Sequence, residues 1–319
     1  MPIVSSSYAA NGLFKNGHFS TIYSAKLRVA PNLIQLRERL TLSDGDFIDL
    51  DFSFSKKSSQ KMAIILHGLE GNAQRTYMKG QAAILNQHGW DACAVNYRGC
   101  SGETNKSYKS YNAGKTDDLE EIILFILAKG MYAEISLIGF SLGGNLLLKY
   151  LGEREFAPKE ITKGVAISAP LYLKGSLEQL SQWNNWLYRT VFLYDLKKKY
   201  KQKMKQFPEF TNLTNYKKMK SLKTFDDIYT APAHGFKDAL DYYKKNSAVQ
   251  FIPSIKIPVL ILSAQNDSFL SQKCYPFSLA EKSKNIYLET PKHGGHVGFH
   301  KNDNCYYSEE RVVEFLTSK

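Results

Sequence analysis

Short apolar runs recur along the chain, and most end at a glycine or a polar turn. Residues 62–66 run into His67-Gly68, residues 92–95 into Asn96-Tyr97-Arg98-Gly99, and residues 135–138 into Gly139. Residues 165–168 and 259–262 are further runs, the second set up by Pro258, and residues 286–288 form a shorter one. Runs this short and this apolar predict strands buried on both faces. Between them, residues 77–88, 117–129 and 142–151 carry helical spacing, and a closing helix is predicted over 308–316. The helix over 117–129 opens on acids, ends on Lys129 and stops at Gly130, which suits the helix dipole. Earlier, residues 37–42 and 47–54 alternate apolar and polar positions around Asp44-Gly45, a hairpin signal. Strands alternating with helices after a hairpin predict an α/β protein with a mostly parallel sheet.

One stretch breaks the alternation. Residues 171–247 hold no buried-strand run, only aromatic and lysine-rich helical pieces with Trp183, Trp186, Tyr188 and Phe192. The expectation is a helical cap over the sheet's carboxyl edge, within a single domain spanning residues 1–319.

Charge adds one local feature. The net charge is +12, and residues 197–223, from Lys197 to Lys223, hold ten lysines against the single acid Glu209. This segment reads as a solvated, lysine-covered helix or as a surface that docks on anionic lipid head groups; nucleic acid is the weaker alternative. Four cysteines (Cys93, Cys100, Cys274, Cys305) form no CxxC pair, so neither a disulfide framework nor a metal site is suggested. The opening residues lack a basic region followed by an apolar run, and a reducing, cytoplasmic location is expected.

Candidate chemistry centres on Gly139-Phe140-Ser141-Leu142-Gly143, a G-x-S-x-G pattern between a predicted strand and a predicted helix. A sharp turn there needs glycine on both sides and exposes the Ser141 hydroxyl at a helix N-terminus. A serine hydroxyl needs a base, and the base needs an orienting acid, in the chain order serine, acid, histidine. Asp267 follows the strand over 259–262, and His293 and His296 follow the strand over 286–288. His296 comes directly after Gly294-Gly295, which frees the loop to swing a ring over the serine; His293 is its rival. The backbone N–H groups of Leu142 and of Leu69, in His67-Gly68-Leu69-Glu70-Gly71, are the candidate oxyanion donors. Cys100 beside Arg98 reads as part of a structural turn rather than a reactive thiol, and Asp117, Asp118, Glu120 and Glu121 as a solvated helix start rather than a metal site. No phosphate loop or dinucleotide fingerprint is present, and no metal or organic cofactor is called for.

Several longer segments together carry a family resemblance. They are Gly17-His18-Phe19-Ser20-Thr21-Ile22-Tyr23, Asp44-Gly45-Asp46-Phe47-Ile48-Asp49-Leu50-Asp51 and Leu66-His67-Gly68-Leu69-Glu70-Gly71. Asn96-Tyr97-Arg98-Gly99-Cys100-Ser101-Gly102-Glu103, Gly139-Phe140-Ser141-Leu142-Gly143-Gly144-Asn145 and Gly294-Gly295-His296-Val297-Gly298-Phe299 complete them. With these the chain resembles the YheT-type α/β hydrolases, related to eukaryotic abhydrolase-domain lipases, from about residue 12 to residue 315. The resemblance implies Ser141, Asp267 and His296 as a catalytic triad and favours His296 over His293. Ser268 departs from the pattern, where proline commonly follows the aspartate, and is expected to loosen that turn. The expectation is a serine carboxylester hydrolase acting on small-molecule or lipid esters. The alternatives are an acyltransferase on the same fold and a lipid-binding protein that uses the lysine-rich cap.

Overall fold

The computed structural model describes residues 3–301, 304 and 306–318. Nine strands form one sheet: β1 (Ile3–Val4), β2 (Leu36–Thr41), β3 (Phe47–Ser53), β4 (Lys61–Leu66), β5 (Asp91–Asn96), β6 (Glu134–Phe140), β7 (Ile161–Ile167), β8 (Val259–Leu262) and β9 (Ile286–Glu289). Their order is β1-β9-β8-β7-β6-β4-β5-β3-β2. The hairpin β2–β3 and the β3–β5 pair are antiparallel, and all other pairs are parallel. Every apolar run noted above becomes a strand. The two-residue β1, too short to leave a pattern, adds an edge beside β9.

Alternation along the strands divides the core in two. Ile64, Leu66, Val95, Leu137 and Ile261 face one apolar layer with Leu119, Ile122 and Leu147, from the helices Thr116–Ala128 and Leu142–Glu153. Ile65, Ala94, Ile138, Val165 and Leu262 face the other, with Met78 and Leu85 of the helix Thr76–Gln87 and Val312 and Leu316 of the helix Tyr307–Thr317. Both faces are covered, as a parallel sheet requires.

Of the acids of the helix Thr116–Ala128, Asp117 stays solvated beside Lys115, whereas the other three hold protein groups. Asp118 takes both arms of Arg98 at 2.7 Å, Glu121 binds Ser43, and Glu120 accepts from Tyr150 at 2.5 Å. Arg98 also reaches Asp44 and Asp46, so it anchors the turn after β5 to the hairpin loop. Cys93, Cys100 and Cys274 are free and buried, and Cys305 lies outside the described residues.

Between β7 and β8 the chain is a helical insertion. Its main helices are Leu173–Leu180, Trp186–Gln206, Leu213–Lys218, Leu222–Phe225 and Ala239–Asn246. Tyr200, Met219, Phe225 and Tyr229 form its own small core.

The lysines do not form one surface. Lys203 is buried and donates to the carbonyls of Asn105 (2.9 Å) and Ser107 (2.5 Å) and to Gln206 Oε1 (3.3 Å); burial pulls its pKa down to about 8. Lys199 binds Glu70 and Cys100 Sγ, each at 3.0 Å, Lys197 binds the Met219 carbonyl, and Lys223 pairs with Asp227. Lys198, Lys201 and Lys205 remain exposed on the helix Trp186–Gln206. No helix among the described residues is long and apolar enough to cross a membrane.

Candidate functional site

Ser141 sits between β6 and the helix Leu142–Glu153 with φ +51° and ψ −118°, a conformation that costs a non-glycine residue energy. Its neighbours explain the glycines around it. A Cβ at Gly139 would meet the Gly143 carbonyl oxygen at 2.3 Å, and one at Gly143 would meet the Leu66 carbonyl oxygen at 2.4 Å. The chain therefore passes through a space that admits no side chain on either flank of the serine.

Asp267 follows β8 and His296 follows β9, which bring both beside Ser141 from the same edge of the sheet. His296 Nδ1 lies 2.8 Å from Asp267 Oδ2, and Nε2 lies 2.9 Å from Ser141 Oγ. The carboxylate can only accept, so Nδ1 carries the proton and Nε2 is left to accept from the serine hydroxyl. The Asp267 side chain is fully buried, and its Oδ1 accepts the Phe269 N–H at 2.9 Å. Phe269 stacks on the imidazole, with centroids 4.2 Å apart. His293 lies elsewhere, with Nδ1 on the Lys15 carbonyl.

The expected loosening at Ser268 is absent. Its hydroxyl donates to Asn185 Oδ1 and its carbonyl accepts from Asn185 Nδ2, both at 2.8 Å, and Asn185 is fully buried. Two hydrogen bonds to the insertion thus hold the acid's turn where a proline ring would have stiffened it.

The loop after β4 passes close to the serine. A Cβ at Gly68 would stand 3.1 Å from Ser141 Cβ and 3.6 Å from its Oγ, so the loop backbone passes beside the serine. Leu69 and Leu142 both line the same cavity as Ser141. His67, fully buried, shapes this loop. Its Nδ1 donates to the Gly68 carbonyl at 2.7 Å and its Nε2 accepts the Tyr97 N–H at 3.3 Å, while burial lowers its pKa to about 3 and keeps the ring neutral.

Two cavities meet at Ser141 and share Leu69, Glu70, Phe192, Phe269 and His296. One, of about 150 Å³, runs beneath the insertion past Leu173, Leu177, Leu196 and Phe225. The other, of about 320 Å³, opens between residues 21–26 and the helix Trp186–Gln206, with Ile22, Leu187 and Val191 on its wall. Both walls are mainly apolar.

Several contributors were not foreseen from the sequence. Thr21 Oγ1 accepts the His296 N–H at 2.8 Å and donates to the Gly17 carbonyl, so the N-terminal segment fixes the histidine loop. Glu70 joins Tyr111 (2.6 Å) and Lys199 (3.0 Å), tying the loop after β4 to the insertion. The Cys100 thiol is pushed up to about 11 by burial, in keeping with a place in a structural turn. The Gly17-His18-Phe19 and His67-Gly68-Leu69-Glu70-Gly71 segments were visible, but nothing local in them names these long-range partners.

A strand-to-helix serine turn, with an acid and a histidine on loops after later parallel strands, is the architecture of one family. The family model for the alpha/beta hydrolase fold matches residues 64–303, and the chain belongs to that family. Within it the chain is YheT-like: it is 30% identical over 312 residues to "Putative esterase YheT" of Escherichia coli (strain K12), covering 96% of this chain and 91% of that protein. It is also 26% identical over 329 residues to "Phospholipase ABHD3" of Mus musculus, covering 99% and 79% of the two chains. Among solved structures, the esterase Pf2001 of Pyrococcus furiosus shares the fold with a TM-score of 0.60 at 20% identity, covering 91% of this chain and 94% of that one.

Proposed function

We propose that this protein is a serine carboxylester hydrolase in which Ser141, His296 and Asp267 form the catalytic triad. The observation that carries the proposal is the unbroken series from Ser141 Oγ through His296 to Asp267, at 2.9 and 2.8 Å, opening on two cavities. Ser141 Oγ attacks the acyl carbonyl and passes its proton to His296 Nε2. The oxyanion that forms is held by the N–H groups of Leu69 and Leu142, and Asp267 stabilises the imidazolium. His296 then gives the proton to the departing alcohol. A water, deprotonated by the same nitrogen, releases the acid and restores Ser141.

The apolar walls support an ester with a hydrocarbon chain as substrate, with residues 171–247 acting as its cap. The names of the relatives, an esterase and a phospholipase, agree with that chemistry. Labelling with a fluorophosphonate probe, followed by a p-nitrophenyl ester chain-length series, tests the proposal. Labelling that is lost in Ser141→Ala is expected; an unlabelled, inactive but folded wild-type protein would refute it.

A second feature favours a lipid surface as the place of work. Trp183, Trp186 and Tyr194 are 84%, 57% and 69% exposed, and with Leu187 and Val191 they continue along one outward stripe into Lys198, Lys201 and Lys205. An apolar half followed by a basic half on one outward face, running from the turn Trp183–Asn185 into the helix Trp186–Gln206, matches an anionic membrane interface. Leu187 and Val191 also line the second cavity, so its mouth opens toward that interface.

A further inference from the structure

The cavity beneath the insertion holds a carboxyl group that no positive charge answers. Asp226 begins a single wide turn at Asp226–Thr230, directly after the helix Leu222–Phe225, and lines the same cavity as Ser141. Its Oδ2 accepts from the Tyr243 hydroxyl at 2.5 Å, and the Thr230 hydroxyl also supports the charged form. Among the described residues no lysine, arginine or histidine pairs with it. Its neighbour Asp227 shows the ordinary alternative: it pairs with Lys223 at 2.6 Å and accepts the Ala239 N–H. Burial without a counter-charge pushes the Asp226 pKa up to about 6, so the group is still mainly ionised at neutral pH.

The cations on the cavity wall are already engaged. Arg98 is held by Asp118, Asp44 and Asp46, Lys199 by Glu70 and Cys100, and Lys203 by three oxygens. The wall next to Asp226 is aromatic, built from Phe225, Tyr229, Tyr242 and Tyr243. The Tyr229 and Tyr243 hydroxyls donate to the Tyr108 carbonyl and to Asp226 itself, and the Tyr242 oxygen accepts the Ala113 N–H. Ring surface, the Tyr242 O–H and one carboxylate are what this part of the cavity offers a ligand. A half-buried carboxylate lining a cavity among aromatic rings is an environment that attracts an organic cation.

We propose that Asp226, with Phe225, Tyr229, Tyr242 and Tyr243, forms a recognition site for a cationic terminus on the substrate, remote from the ester that reacts at Ser141. The proposal rests on the serine-hydrolase reading and names a substrate class for it. An ammonium group held here anchors the far end of the molecule while its hydrocarbon portion lies along Leu173, Leu177 and Leu196.

The test compares p-nitrophenyl esters whose acyl chain ends in trimethylammonium with their neutral tert-butyl isosteres, over a series of chain lengths. A parallel series carries the cation on the alcohol side. At the length that spans Ser141 to Asp226, kcat/KM should favour the cationic member by about 10-fold, the factor expected of one such contact. Asp226→Asn, which keeps an acceptor for Tyr243 but removes the charge, should bring that ratio to about one. A ratio at or below one at every length in both series, with the neutral esters hydrolysed, overturns the site and leaves the hydrolase reading standing. No hydrolysis of any ester and no phosphonate labelling overturns the hydrolase reading itself. If Asp226→Asn does not fold, the wild-type ratio at the spanning length still decides. A structural role as acceptor for Tyr243 alone predicts an unchanged ratio in Asp226→Asn, and that result also refutes the proposal.

Discussion

Ser141, Asp267 and His296 stand on loops that leave the ends of β6, β8 and β9, whereas Asp226, Lys199 and Lys203 stand on the helical insertion that covers those ends. The two regions place charge by different means. At the strand ends, position follows from backbone: the strands are fixed by apolar layers on both faces, and the serine turn is fixed by glycines whose missing Cβ atoms would strike carbonyl oxygens. In the insertion, position follows from side chains that reach out, as Lys203 does to Asn105 and Ser107, or Lys199 to Glu70. Under the proposed mechanism the first arrangement holds the reacting atoms to the tolerance that chemistry needs. The second admits exchange of side chains without moving the sheet, so it is the natural place for choosing a substrate.

The largest effects should come from the strand-end region. Ser141→Ala should abolish phosphonate labelling and lower kcat by about 10³-fold or more, with His296→Ala close behind, because triad members act as a unit. His293→Ala, whose ring hydrogen-bonds the Lys15 carbonyl away from Ser141, should be mild. Inactivity of His293→Ala beside an active His296→Ala would reverse the assignment of the base. Next, Leu69→Pro removes the proposed oxyanion donor and should cost about 10²-fold in kcat, while Leu69→Ala keeps the N–H and most of the activity. Circular dichroism must show both proteins folded, and full activity in Leu69→Pro would remove Leu69 from the oxyanion site.

Asp226 sharpens the contrast through pH. Its pKa is raised from 3.8 to about 6 by burial, so between those values the folded protein binds a proton that the unfolded chain releases. Stability linked to Asp226 is therefore present below pH 4 and is lost as pH rises toward 6. At about 1.4 kcal/mol per unit, the strain above pH 6 is at most about 3 kcal/mol. Asp226→Asn should relieve it, so the variant should gain stability over wild type in urea at pH 8 and gain little at pH 4. An equal difference at both pH values would mean that the carboxyl carries no such strain.

Within the insertion, two neighbouring lysines should behave unlike each other. Lys203→Met strips the donor from the Asn105 and Ser107 carbonyls and should cost about 1–3 kcal/mol in urea unfolding. Lys198→Gln, on an exposed position, should stay within about 0.5 kcal/mol of wild type. Similar values for both would mean that the buried lysine is not structural.

These lysines also mark where reading the sequence stops. The strands were legible because burial on both faces demands unbroken apolar runs, and β8 was bounded to the residue by Pro258 and the polar turn after Leu262. The grouping of Ser141, Asp267 and His296 was legible because the turn needs its glycines, the chain order excludes the early histidines, and Gly294-Gly295 with the family resemblance favours His296 over His293. Nothing local distinguishes Lys203 from Lys201, since one carbonyl acceptor of Lys203 is 98 residues away in the chain. Thr21 and Asn185 escaped for the same reason: their bonds span 275 and 83 residues. Asp226 sits in a plain Asp-Asp pair, and only the fold shows that Lys223 reaches one of the two and leaves the other alone. Charge runs report composition, whereas partners decide whether a charge is solvent-facing, structural or open to a ligand.

The smallest expected effect concerns the outward stripe of the helix Trp186–Gln206, and it separates surface from structure most directly. If the stripe docks on anionic lipid, its apolar and basic halves contribute in different ways. A lysine close to such a surface adds about 1 kcal/mol, so Lys198→Gln should weaken partition onto anionic vesicles by about fivefold at low salt. That difference should fade as added salt shortens the screening length below about 8 Å. Trp183→Ala removes ring area that is 84% exposed in the free protein, and its loss of binding should persist at high salt because it does not depend on charge. Co-sedimentation of wild type and the two variants, with neutral and with anionic vesicles, reads all of these at once. Absence of wild-type binding to anionic vesicles at low salt would make the stripe an ordinary solvated face. A loss confined to Trp183→Ala, with Lys198→Gln binding as the wild type does, would instead retain the apolar contact and deny Lys198 a part in it.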